Sequence, residues 1–164
     1  HGMPQAIIFG KGAPELVEIG GYRMGEPKIH PANAALIGAR AIDNREKKVL
    51  RDIGMTIFTM EAIDRRGIHA VAREALEIAT GATDTIHVSF DVDSLDPLVA
   101  PGVGTPSRGG LTYREAHTAM ELIAESKKLY SMEVAEVNPI LDVRNSTAEV
   151  AVELIASAMG KRII

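Results

Sequence analysis

The sequence predicts an α/β fold with a mainly parallel sheet, and three observations carry that reading. Short apolar runs of strand length alternate with longer segments whose apolar residues recur at helical spacing. A β-then-α rhythm implies right-handed crossovers, which lay successive strands parallel. The acidic residues that stand out fall where strands end, and open sheets of this kind bind ligands beyond the carboxyl ends of their strands. No linker-like stretch divides the chain, so residues 1–164 read as belonging to one domain.

The elements follow in order. Residues 34–38 form a short apolar strand. Residues 43–54 form a helix with Val49, Leu50 and Ile53 on one face, and 55–59 read as the next strand. Residues 68–79 are an amphipathic helix, because Ile68, Val71, Ala72, Ala75, Leu76 and Ala79 recur at helical spacing and Gly81 stops it. The run 85–90 is a strand. The stretch 97–110, with four glycines and three prolines, is a loop. Thr112-x-x-Glu115 is a capping box that opens a helix to about Ser126. Residues 129–137 form a strand ending near Glu136. Ser146-x-x-Glu149 caps a final helix whose stripe is Val150, Ala151, Leu154, Ile155, Ala158 and Met159.

Composition narrows the function. A net charge of −4, and three Tyr and three Phe with no basic cluster around them, argue against a nucleic-acid platform. The chain has no cysteine, which removes thiolate nucleophiles, disulfides and Cys-ligated zinc and fits a reducing, cytoplasmic compartment. No apolar run is long enough to span a bilayer, and no membrane partner is expected. The opening His1-Gly2-Met3-Pro4 looks neither like a natural initiator nor like a tag scar, so the chain is expected to be a piece of something longer.

The chemistry concentrates in Ser89-Phe90-Asp91-Val92-Asp93-Ser94-Leu95-Asp96-Pro97. Strand side chains alternate, so Asp91 and Asp93 point to one side if the strand continues through them. Two like charges side by side repel, and a divalent cation such as magnesium or manganese offsets that cost. A turn also favours Asp, Ser and Pro, and Asp96-Pro97 reads as one. Glu136 is a carboxylate at a strand end, suited to a cationic substrate or simply to water. Asp43-x-x-Glu46 is a helix N-cap pattern whose remaining oxygens are open to a ligand ammonium. His1 has an unperturbed pKa near neutrality and suits general acid/base work. His30, His69, His87 and His117 lack metal-ligand spacing and read as structural or surface residues. The glycines of 102–110 match neither phosphate-loop pattern and read as allowing close backbone approach at a pocket.

Together these motifs resemble those of a known family. The aspartate stretch, then Ala100-Pro101-Gly102-Val103-Gly104-Thr105-Pro106, Gly109-Gly110-Leu111-Thr112-Tyr113-Arg114-Glu115 and Glu136-Val137-Asn138-Pro139, in this order, resemble the ureohydrolases, and among them the bacterial arginases. His1-Gly2-Met3-Pro4 is similar to the family's histidine segment. The resemblance implies the C-terminal part of a three-layer α/β/α domain, truncated at its N-terminus. It implies hydrolysis of L-arginine to L-ornithine and urea by a hydroxide held on two manganese ions. It further implies that Asp91 and Asp93 bind metal and His1 shuttles a proton. Asp43 and Glu46 would bind the substrate α-amino group, and Thr105 and Glu136 would line the guanidinium end, with Glu136 a catalytic group. A homo-oligomer, trimer or hexamer, is implied for the parent.

The sequence also departs from that family. Ser94 stands where Gly is usual, Ala41 where some arginases have Asp or Ser, and Ser107-Arg108 where an apolar pair precedes Gly109. The family's Gly-Gly-Asp-His and Asp-Ala-His-x-Asp metal segments are not in these 164 residues. The chain alone is therefore expected to be inactive and to bind metal weakly. An agmatinase-like hydrolase and a non-catalytic interaction module are the alternatives.

Overall fold

A computed structural model of the chain describes residues 3–162. Its elements are α1 (Met3–Ile8), α2 (Pro14–Val17), a 3₁₀ turn (Pro31–Asn33), β1 (Ala35–Ala39), α3 (Asn44–Ile53), β2 (Thr56–Thr59), α4 (Met60–Arg66), α5 (Ile68–Ala79), β3 (Ile86–Asp91), a second 3₁₀ turn (Val92–Ser94), α6 (Tyr113–Ser126), β4 (Leu129–Ala135) and α7 (Ser146–Ala158). Each strand predicted from sequence is present, and β1 and β2, like β3 and β4, run parallel. The strands form two parallel pairs, β1–β2 and β3–β4.

The local reasons are legible. Asp43 caps α3 by accepting from the N–H groups of Arg45 and Glu46, and Gly54 ends it in the left-handed region at φ 77°. Thr112 and Glu115 form the reciprocal capping box of α6. The helix α4 went unread in the sequence. Thr59 caps it, accepting from Ala62 N–H at 3.3 Å, and Gly67 at φ 78° separates it from α5. The cap of α7 differs from expectation. Ser146 is the first helical residue and not the cap. Asn145 occupies that position without a side-chain bond, and Asp142 supplies the acceptors instead.

One hydrophobic cluster spans both strand pairs. Phe58 of β2, Phe90 of β3, and Ile63, Val71, Met120 and Leu154 from four helices are buried in it, with Ile37 of β1 packed against it. Burying side chains of this size stabilises by about 1.5–3 kcal/mol each against exposure. The opposite face of β3–β4 is polar and exposed. There Ser89 donates to Glu133 at 2.8 Å and His87 Nδ1 lies 2.8 Å from Ser131 Oγ.

Candidate active site

The strand β3 does not continue through the acidic pair. It ends at Asp91 and the chain turns into the 3₁₀ segment Val92–Ser94. The expected strand alternation therefore does not align the two carboxylates. The turn does so by another route: Asp91 Oδ1 accepts from Asp93 N–H at 3.0 Å, and the two carboxyl groups are themselves within hydrogen-bonding reach. Burial pushes the Asp91 carboxyl up to about 6. The Asp93 N–H works against this, while the charges of Asp93 and Glu136 add to the rise.

A loop brings the next groups in. Thr105 donates from Oγ1 to Asp93 Oδ2 at 2.8 Å. Val103 bridges Val137 in antiparallel fashion, and Asn138 N–H donates to the Gly102 carbonyl at 2.8 Å, so this loop lies along the end of β4. A Cβ on Gly104 would stand 3.8 Å from Glu136 Oε2. Glu136 follows β4 directly and holds φ at 69°, a left-handed conformation uncommon for residues other than Gly, Asn and Asp. Asp91, Asp93, Thr105 and Glu136 thus converge beyond the carboxyl ends of β3 and β4. The close approaches expected of the loop glycines occur at Gly102, where a Cβ would meet the Asp142 side chain at 2.5 Å, and at Gly110, where it would meet the Leu95 backbone at 2.5 Å.

Asp43 and Glu46 lie at the start of α3, beyond the carboxyl end of β1. Asp43 Oδ1 accepts from Glu46 N–H at 2.9 Å and from Arg45 N–H at 2.7 Å, and these bonds hold its carboxyl below the usual carboxylate range. Its cap role is thereby filled by one oxygen. His1 lies outside the described residues.

Three of the other histidines have defined places in the fold. His30 Nδ1 accepts from Ala32 N–H at the first 3₁₀ turn, His69 is exposed on α5, and His117 is buried against Ser157.

Two residues were missed in the sequence. Arg40, one position past β1, donates to the backbone carbonyls of Asp93 and Ser107. Asp142 accepts from the N–H groups of Val143, Thr147 and Ala148, and Thr147 Oγ1 in turn accepts from Gly102 N–H at 2.7 Å. Arg40's only sequence signal is a lone cation closing an apolar run.

The donor set suits a hard divalent cation in kind. Two adjacent carboxylates, one held back from ionising by burial and like charge, are what a cation would relieve. Among the described residues no group of three or more His, Cys, Asp or Glu is placed to hold an ion. Asp91 and Asp93 stand there as a pair of carboxylates.

Parallel strands with acidic groups gathered past their carboxyl ends define a class of α/β proteins that present a polar, cation-suited site on a rigid frame. Within that class the chain belongs to the arginase family, whose sequence model matches residues 1–160. The arginase of Bacillus caldovelox is 51% identical over the whole chain, and that of Bacillus subtilis 47%. The native crystal structure of the Bacillus caldovelox enzyme superposes with a TM-score of 0.94 over 100% of this chain and 54% of its own. An Entamoeba histolytica arginase in complex with L-ornithine, 32% identical, matches with a TM-score of 0.86 over 98% of this chain and 53% of its own. The chain spans about half the length of the curated relatives it matches.

Proposed function

We propose that these residues are the C-terminal part of an arginase-type enzyme that hydrolyses L-arginine to L-ornithine and urea. The observation that carries the reading is the convergence of Asp91, Asp93, Thr105 and Glu136 beyond β3 and β4. It is supported by full-length similarity of this chain to proteins named arginase.

In this reading Asp91 and Asp93 contribute to holding two manganese ions, with the other ligands supplied from outside these residues. Manganese held there would lower the pKa of a water and offset charge in the transition state. The residues of the chain do the rest. Thr105 fixes the Asp93 carboxylate and lines the guanidinium end. Glu136 accepts from the guanidinium N–H groups through charge-assisted bonds. Asp43 and Glu46 receive the α-ammonium, complementing a substrate that is cationic at both ends. His1 carries the proton to the departing amine. The same reading makes the enzyme a cytoplasmic homo-oligomer.

The test is urea release by the whole enzyme with manganese, comparing arginine and agmatine. Arginine is expected to be turned over and agmatine poorly. Glu136→Gln is expected to lower kcat/KM for arginine by about a hundredfold while manganese binding persists. Equal turnover of agmatine would move the reading to an agmatinase. No urea from either substrate would remove it.

A further inference from the structure

We propose that Arg40 is a positioning residue of this site: its guanidinium ties together the two loops that carry Asp93 and Thr105, and so fixes the Asp93 carboxylate for a divalent cation. The inference rests on the arginase-type reading, which assigns Arg40 no role.

The geometry is specific. Arg40 Nη2 donates to the Asp93 carbonyl at 2.6 Å and to the Ser107 carbonyl at 2.8 Å. Its Nε donates to the same Ser107 carbonyl at 3.2 Å, and Nη2 also reaches the Leu95 carbonyl at 3.4 Å. One planar group therefore spans the turn after β3 and the loop before α6. Asp93 is then held twice. Arg40 fixes its backbone, and Thr105 fixes its carboxylate at 2.8 Å from a loop whose Ser107 Arg40 also grips.

The end of β1 is shaped to deliver that guanidinium. The β1–β2 register shifts between Ile37 and Ala39, and Gly38 there holds φ at 88°. A bulge of this kind re-aims the side chains that follow it. The partners are all backbone carbonyls, which a fork of five donors in one plane can gather and a lysine ammonium on a flexible stem cannot gather as well. Asp96 braces the same loop from the other side, accepting from Leu98 N–H at 3.0 Å and Gly109 N–H at 2.8 Å.

The experiment compares wild type, Arg40→Ala, Arg40→Lys and Ile63→Val in the whole enzyme. Ile63 is buried in the core and its side chain makes none of these hydrogen bonds, so its variant gauges a general loss of stability. Three quantities are read: manganese(II) affinity of the metal-free protein by calorimetry, amide exchange at Gly109 and Leu111, and kcat against KM for arginine. Arg40→Ala is expected to weaken manganese binding by about tenfold or more, with Arg40→Lys between it and wild type. Exchange at Gly109 and Leu111 should quicken in step, amides of α5 should stay slow, and kcat should fall more than KM rises. Manganese affinity and loop exchange at wild-type levels in Arg40→Ala, or a loss no larger than that of Ile63→Val, would overturn the proposal. If Arg40→Ala does not fold, Arg40→Lys decides: weakened manganese binding at an unchanged Tm supports the proposal, and unchanged binding overturns it. A wild-type enzyme that binds manganese but releases no urea sinks the arginase reading while leaving the Arg40 measurements readable.

Discussion

His117 shows how one buried side chain sets a pH dependence. It sits on α6 facing α7, is 7% exposed, and places Nδ1 2.8 Å from Ser157 Oγ. Its ring lies 4.3 Å from that of Tyr113, whose hydroxyl donates to Glu153. Nε2 is buried with no hydrogen-bond partner. Charging this ring is opposed first by burial and then by Arg114, and Glu121 and Glu153 offset that only in part, so its pKa is lowered. The unfolded chain then binds the proton more readily than the folded one. The stability that neutral His117 contributes is full above its unfolded pKa of about 6.5 and is lost as the pH falls through the lower folded value. Urea unfolding is expected to show stability dropping as the pH falls below about 6.5 in wild type and dropping less in His117→Asn. Equal slopes in the two proteins would remove His117 as the cause. Asp91 meets the same desolvation with the opposite sign: burial raises it, and the charges of Asp93 and Glu136 push it further.

At the scale of elements, the start of α7 links helix stability to the site loop. Asp142 accepts from Thr147 N–H at 3.0 Å, Ala148 N–H at 3.2 Å and Ser146 Oγ at 3.3 Å. Partial burial pushes its carboxyl up, but the bonds from Thr147, Ala148 and Val143 outweigh that and leave it lowered. Asp142→Ala strips the first turn of its acceptors and is expected to cost about 1–2 kcal/mol in denaturant unfolding, with Asp142→Asn recovering most of it. Because Thr147 also holds Gly102, the amides of the loop that carries Thr105 should exchange faster in the alanine variant. A helix destabilised with no change in that loop would uncouple the two. The sequence pattern Ser146-x-x-Glu149 pointed to the wrong cap for a physical reason. Arg144 and Asn145, at φ 55° and 61°, fold the chain back so that the acceptor comes from before the cap position, beyond the reach of a fixed-spacing rule. Where periodicity and local bonds act together the reading succeeded: 68–79 was placed to the residue, and the capping box of α6 was read from Thr112 and Glu115. The helix α4 escaped because only Met60, Ala62 and Ile63 of its seven residues are apolar. The meeting of Asp91 and Asp93 was anticipated, but through a strand and not the 3₁₀ turn that brings it about. Arg40 was invisible because its loop carbonyls lie 53 to 67 residues away.

At the scale of the whole molecule, the two strand pairs govern how the 164 residues behave by themselves. A two-stranded sheet is marginal in water without further packing, and here both pairs lean on one core through Phe58 and Ile37 on one side and Phe90 on the other. Among the described residues β3 pairs with β4 and β1 with β2, so each pair presents strand edges to its surroundings. Such edges template pairing with other chains. The polar face of β3–β4 does not add to that hazard, since Ser89, Glu133, His87 and Ser131 already bond to one another across the strands. The 164-residue chain is therefore expected to self-associate in a concentration-dependent way through its edges, as light scattering would read. Amides of β3 pointing away from β4 are expected to exchange far faster than those of β3 bonded to β4. On the proposed arginase-type reading Asp91 and Asp93 supply only part of a ligand set, so the same preparation is expected to bind manganese weakly and release no urea from arginine. A monodisperse monomer turning over arginine at the rate of the whole enzyme would contradict both halves of the argument. It would mean that the strand edges are harmless and that the two carboxylates, with Glu136 beside them, suffice for the chemistry.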